Sequence, residues 1–131
     1  MLGKREPEVY GSDTLEDIQK YTAESVQDLK VSLDWKQSNI EGEIVDMIQN
    51  AVNDGTEGLI INPAAFSHTS VAIHDALKLL KIPKIEVHLS NTNHREEFRQ
   101  IKLTAKSCDI IMEGLKRNAY CVAIVALTKL K

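Results

Sequence analysis

Hydrophobic and polar positions change period repeatedly along this chain, and each change marks an element. The stretch "SDTLEDIQKYTAESVQDL" (12–29) opens with capping residues and repeats Leu15, Ile18, Val26 and Leu29 at helical spacing, which predicts an amphipathic helix. "VSLDW" (31–35) alternates Val31, Leu33 and Trp35, as a strand with one wetter face does. A second amphipathic helix is predicted over "EGEIVDMIQNAV" (41–52), with Ile44, Val45, Ile48 and Val52 on one side. "GLIIN" (58–62) is a short continuous apolar run, the pattern of a strand covered on both faces. Then follow a helix over "SVAIHDALKLL" (70–80), with Pro83 as its stop signal, and a strand over "KIEVHLS" (84–90). A short polar helix over "NHREEFRQ" (93–100), a strand over "DIIM" (109–112) and an apolar helix over "AYCVAIVALTKL" (119–130) complete the chain. No repeat, low-complexity tract or linker interrupts the series, so one domain over 1–131 is expected.

Repeated strand–helix alternation predicts an α/β fold, a doubly wound parallel sheet in three layers with helices on both faces. Such sheets bind ligands in the crevice beyond the carboxyl ends of their strands. Gln37, Ser38 and Asn39 follow the first predicted strand; Asn62, Ser67, His68, Thr69 and Ser70 follow the second. His88, Ser90 and Asn91 end the third, and Glu113 and Lys116 follow the fourth. Uncharged donors and two histidines dominate that edge, the profile of a site for a small polyhydroxylated or carboxylated molecule.

Composition narrows the classes without choosing among them. With 43% hydrophobic and 27% charged residues the chain has the make-up of a soluble globular protein. A net charge of -3, with basic residues scattered, gives no electrostatic case for nucleic acid or an anionic membrane surface. No stretch is long and apolar enough to span a bilayer, and "MLGKREPEVYG" has no apolar signal core. Cys108 and Cys121 lie far apart in no metal or redox spacing, which fits a reducing cytoplasm. Neither a P-loop, a dinucleotide fingerprint, zinc-ligand spacing nor a G-x-S-x-G elbow is present, so Ser67 and Ser70 are poor nucleophiles.

Taken singly, the polar residues also have structural readings. His68 suits a loop histidine bonded to backbone, and Thr69 or Ser70 suits a helix N-cap. Asp75 lies in early helical turns that favour acids. "NHREEFR" suits a solvated charged helix with local Arg–Glu pairs.

Four stretches together resemble the type II 3-dehydroquinate dehydratases: "MLGKREPEVYGSDTLEDI", "QSNIEGEIVDMIQ", "IINPAAFSHTSVAIHDAL" and "IEVHLSNTNHREEFR". Their order and spacing match the family's LGxREPxxYG, QSNxEGExxD, INPGAxxHTSxAxxDA and IEVHxSNxxxREExR patterns over residues 1–99. The resemblance implies a flavodoxin-like fold, trimers assembling into a dodecamer, neither metal nor cofactor, and conversion of 3-dehydroquinate to 3-dehydroshikimate. It implies Tyr10 as the base, in a catalytic lid loop over 1–11, with Arg5 as the cation that lowers its pKa. It implies His88 as general acid and Glu86 as the carboxylate that orients it. Strand alternation places Glu86 and His88 on one face. Asn62 and the backbone amides of Leu89 and Ser90 match groups that bind the substrate carboxylate. His68, Asp75 and Arg99 match groups that hold its hydroxyls, Asp75 serving a neighbouring subunit, and Arg95 matches a lid-closing arginine.

The pattern is not followed everywhere. Ala64 replaces the glycine of INPGA, "QIKL" stands where an HHSY-type stretch is expected, and Lys116 occupies a glycine position of the last turn. Family chains begin with a strand and an NGPNLN loop, about one strand plus its turn. Here Met1 falls where that loop would continue, so the first strand is expected to be missing from this chain and the 131-residue chain alone to be unstable or inactive. Two alternatives to the dehydratase stand beside it: an inactive assembly or binding protein of the same fold, and a flavin carrier. The second is disfavoured by the lack of a hydroxyl- and glycine-rich phosphate loop.

Overall fold

The first helix starts where its capping residues predict. In the computed structural model, which describes residues 13–130, helix α1 runs Leu15–Ser25 behind Thr14. Thr14 Oγ1 accepts from the Asp17 amide at 3.1 Å and the Asp17 carboxylate accepts from the Thr14 amide at 3.0 Å, a reciprocal capping box. The predicted helix over 12–29 is shorter than its periodicity: a 3₁₀ turn, Gln27–Leu29, follows, and Lys30 at φ 54° turns the chain left-handed and ends it. Helix α2 spans Glu41–Asn50, α3 spans Val71–Leu79 and α4 spans Ala119–Lys129, within the segments expected. None of the described helices is long and apolar enough to cross a membrane.

Strands β1 (Leu59–Ile61), β2 (Lys84–His88) and β3 (Ile110–Glu113) form one parallel sheet in the order β1-β2-β3. The central strand is buried at all five positions. Ile85 and Val87 pack with Leu89, Ile18, Ala119, Tyr120 and Ala123 beneath α1 and α4. On the other face Ile48, Ala51, Ile73, Ala76, Leu77 and Leu80 form a second core from α2 and α3. Each such aliphatic side chain contributes about 1.5–3 kcal/mol when fully buried. The result is the three-layer, flavodoxin-like arrangement expected.

Two predicted elements are not formed. Val31–Trp35 has no strand partner among the described residues. Alternation does bury one of its side chains, since the Trp35 ring meets that of Tyr120 edge-on at 5.1 Å. A strand also needs a neighbouring backbone, however, and none is offered among the described residues. The polar helix over 93–100 is two 3₁₀ turns, Thr92–His94 and Glu97–Gln100, separated by Arg95 in extended geometry. The Asn91 side chain caps the first turn by accepting from the Asn93 amide at 3.0 Å, and the extended backbone at Arg95 ends it before a helix can continue. Further 3₁₀ turns, Ala64–His68 and Thr104–Ser107, precede α3 and β3.

Candidate active site

On β2 the residues facing away from Ile85 and Val87 are Glu86 and His88, the first fully buried and the second nearly so. A charged group in the middle of an apolar strand demands partners. Glu86 has three. His88 Nε2 donates to Oε2 at 2.7 Å, Ser67 Oγ donates to the same oxygen at 2.7 Å, and Thr104 Oγ1 donates to Oε1. Ser67 and Thr104 sit on the two unforeseen 3₁₀ turns, which are joined by a 2.6 Å bond from the Leu103 amide to the Ser67 carbonyl. Burial pushes the Glu86 carboxyl up, yet the bonds from His88, Thr104 and Ser67 outweigh it and hold the pKa below the ordinary carboxylate value. Glu86 is therefore an anion without water, and His88 is turned so that Nδ1 is its remaining nitrogen.

His68 lies beside this pair, its ring stacked on that of His88 with centroids 6.4 Å apart. Its Nδ1 is 2.7 Å from the Ile101 carbonyl, an acceptor only, which fixes the proton on Nδ1 and leaves Nε2 for another group. Phe98 meets His68 edge-on, and the Arg99 guanidinium stands 5.0 Å over the Phe98 ring. Arg99 Nε also donates to Glu96 at 2.9 Å, so the arginine is held at the rim beside His68. Arg95 Nε lies 3.9 Å from the same carboxylate, with most of its side chain covered. Ser90, Asn91, His94, Arg95, Gly114 and Lys116 line a cleft of about 310 Å³ next to the end of β2. Leu89 and Ser90 continue β2 towards it, and the Leu89 carbonyl accepts from the Lys116 amide at 2.9 Å.

Asn62, just past β1, is fixed at both ends. Its Oδ1 accepts from the Ala64 amide at 3.1 Å and its Nδ2 donates to the Tyr120 hydroxyl at 3.4 Å. Ala64 adopts φ 51° and Lys116 φ 53°, the left-handed region that a side chain disfavours. Asp75 stands apart: it is exposed on α3, and its contact is with His74 Nδ1 at 3.0 Å. The structure thus gathers Glu86, His88, His68, Leu89, Ser90, Arg95 and Arg99 at one end of the sheet, with Asn62 at the neighbouring strand, and leaves Asp75 out. Tyr10 and Arg5 lie outside the described residues.

Sequence reading missed Ser67, Thr104 and Tyr120 as members of this network. The signal for the first two was Glu86 itself, since a glutamate in a fully buried strand requires donors from flanking segments. Glu113, expected at the end of the last strand, accepts from the Thr92 amide at 3.1 Å and lies 3.8 Å from Lys102 Nζ, tying the Arg-bearing loop to β3.

The chain as a whole is similar to known proteins. The family model described as dehydroquinase class II matches residues 1–128. The 3-dehydroquinate dehydratase of Bartonella henselae is 48% identical over 128 residues, covering 98% of this chain and 86% of that protein. The protein of the same name from Sulfurovum sp. is 45% identical, covering 99% and 80%. The crystal structure of the type II dehydroquinase from Butyrivibrio crossotus superposes with a TM-score of 0.94 at 42% identity, over 97% of this chain and 88% of that one. For the type II dehydroquinase of Propionibacterium acnes the TM-score is 0.92 at 37% identity, over 98% and 88%.

Proposed function

Because the chain belongs to the class II dehydroquinase family, we propose that it is a hydro-lyase converting 3-dehydroquinate to 3-dehydroshikimate. The observation that carries this reading is the buried Glu86–His88 pair at the carboxyl end of the central strand. Loss of water from a carbon one removed from a ketone needs a base, a stabilised enolate and an acid for the departing hydroxyl. Tyr10, as tyrosinate, takes the proton beside the ketone, and the C–H electron pair enters the enolate. A free tyrosine has a pKa of about 10, and lowering it by about two units takes roughly 2.7 kcal/mol, within reach of the Arg5 guanidinium. Protonated His88 then gives the Nδ1 proton to the leaving oxygen as the C–O bond breaks, in the anti sense. Neutral His88 remains, its Nε2–H still on Glu86.

The other assignments follow the same reading. Asn62 and the amides of Leu89 and Ser90 receive the substrate carboxylate, an anion that backbone amides suit without a lysine. His68 and Arg99 hold hydroxyls, and Arg95, on the extended link between the two 3₁₀ turns, closes the lid whose other part is 1–11. Asp75 serves a neighbouring subunit in trimers that build a dodecamer, a role supported by its exposure on α3. The free thiols of Cys108 and Cys121 support a cytoplasmic place for this step of aromatic biosynthesis, the shikimate pathway.

The test is the ultraviolet absorbance of the conjugated product formed from 3-dehydroquinate. Tyr10→Phe should nearly abolish kcat with KM within a few-fold. An unmodified chain without turnover would favour the inactive protein of the same fold, and a Tyr10→Phe variant that keeps most of its rate would refute the assignment of the base.

A further inference from the structure

We propose that Ser67 and Thr104 are positioning residues that keep Glu86 charged and oriented, and so keep His88 an imidazolium able to give up its Nδ1 proton. The inference rests on the dehydratase reading above and concerns groups that never touch the substrate. Ser67, Glu86 and Thr104 are each fully buried, so no water substitutes for any of them. An ionised carboxylate only accepts hydrogen bonds. Both hydroxyls must therefore donate, one to each oxygen, while His88 shares Oε2 with Ser67. With one hydroxyl gone, an oxygen of a buried anion is left bare, and Glu86 relieves this by taking a proton. The natural source of that proton is His88 Nε2, 2.7 Å away, and its loss leaves a neutral imidazole whose Nδ1–H is a far weaker acid. Mere packing does not require hydroxyls here, since methyl groups would fill the same volume.

The neighbouring titratable groups do not supply the same control. His68 faces His88 ring to ring but is committed to the Ile101 carbonyl. Cys108 stays a neutral thiol, because burial, with the Glu86 charge adding to it, pushes its pKa to about 12. Glu113, in register with His88 on β3, is taken up by Thr92 and Lys102. Lys84 and Asp109 sit at the opposite ends of β2 and β3, and Arg99 is held by Glu96.

Thr104→Val, Thr104→Ser and Ser67→Ala, made in the full chain, separate a positioning role from a filling one. Thr104→Val keeps the shape and removes the donor. One charged hydrogen bond corresponds to a loss of roughly 10- to 100-fold in kcat with KM nearly unchanged. When Glu86 takes the Nε2 proton, the neutral His88 that remains carries its proton on Nδ1. ¹⁵N NMR of His88 should show this change of tautomer without any need for turnover. Ser67→Ala should shift both readings the same way, and Thr104→Ser should restore rate and tautomer.

An unchanged His88 tautomer in Thr104→Val and Ser67→Ala would overturn the proposal, as would equal losses in Thr104→Val and Thr104→Ser. Should neither hydroxyl-free variant fold, the unmodified chain decides: neutral His88 must carry its proton on Nε2, and a bare Nε2 refutes the arrangement. A chain whose His88 behaves as described but which turns over no 3-dehydroquinate would sink the proposed reaction and leave the hydroxyl assignment standing.

Discussion

Replacing Ala64 by glycine should make this protein more stable, although glycine is usually the destabilising choice. Ala64 holds φ 51°, where the Cβ of an L-residue crowds its own carbonyl at a cost of about 1–2 kcal/mol. Its methyl group is exposed, so deleting it forfeits little packing. Against this gain stands the greater freedom of glycine in the unfolded chain, about 0.4–1 kcal/mol. The balance is roughly 0.5–1 kcal/mol in favour of Ala64→Gly. For a domain of this size that corresponds to a rise of about 2–5 °C in melting temperature. Thermal melts of the unmodified chain, Ala64→Gly and Ala64→Val, followed by circular dichroism, give the comparison. Valine, branched at Cβ, should move the melt the other way. A glycine variant that melts at or below the parent would show that the φ of Ala64 stores no strain, and the reasoning would fail. Because the Ala64 amide is bonded to Asn62 Oδ1, the substitution also tests whether relaxing this turn leaves KM intact.

Three further outcomes are expected. Glu86 has a depressed pKa in the folded chain, so its stabilisation is complete above the unfolded value of about 4.3 and is lost as pH falls through the folded value. The stability difference between the unmodified chain and Glu86→Gln should shift against the unmodified chain as pH falls below about 4.3; urea titrations showing a constant or opposite trend would contradict the linkage. His88→Ala should depress kcat, whereas Arg99→Ala should also raise KM, and steady-state kinetics that cannot tell the two apart would dissolve the division between acid and grip. Thr14→Ala removes half of an exposed capping box and should cost about 1 kcal/mol in chemical denaturation, with no change in kcat.

Much of the architecture was legible because it is periodic. Leu15 and Ile18 mark α1, the run ending at Ile61 marks β1, and the alternation through Glu86 and His88 puts both on one face before any distance is known. Periodicity failed where a second partner decides the outcome. Val31–Trp35 alternates as a strand should, yet strand pairing belongs to the neighbour as much as to the segment. The polar segment from Asn93 has helical composition, but the extended backbone at Arg95 divides it into two turns. The site divides in the same way. His88 and Glu86 share a strand and could be paired on paper. Ser67 and Thr104 reach Glu86 across 19 and 18 residues of sequence, a juxtaposition that only the sheet creates. Ala64 and Lys116 were visible as glycine replacements, whereas their positive φ was not, since neither residue type announces it.

The bond between the Leu103 amide and the Ser67 carbonyl joins segments 36 positions apart, and it has a kinetic meaning. Contacts between distant segments must overcome loop-closure entropy before they contribute, so they tend to consolidate late on the way to the native state. Glu86 acquires its hydroxyl donors only once this latch between the two turns is closed. Until then it is an ordinary solvated carboxylate on a strand that has yet to be covered. The burial of charge is accordingly a closing event, and the latch acts as a check that both flanking turns have docked. Weakening what the closed latch secures, for example by removing the Thr104 hydroxyl from Glu86 in Thr104→Val, should steepen the loss of native protein by accelerating unfolding while leaving the refolding rate nearly unchanged. Stopped-flow folding kinetics would show this as displacement of the unfolding arm alone, and a slowed refolding arm would place the latch in the nucleus instead.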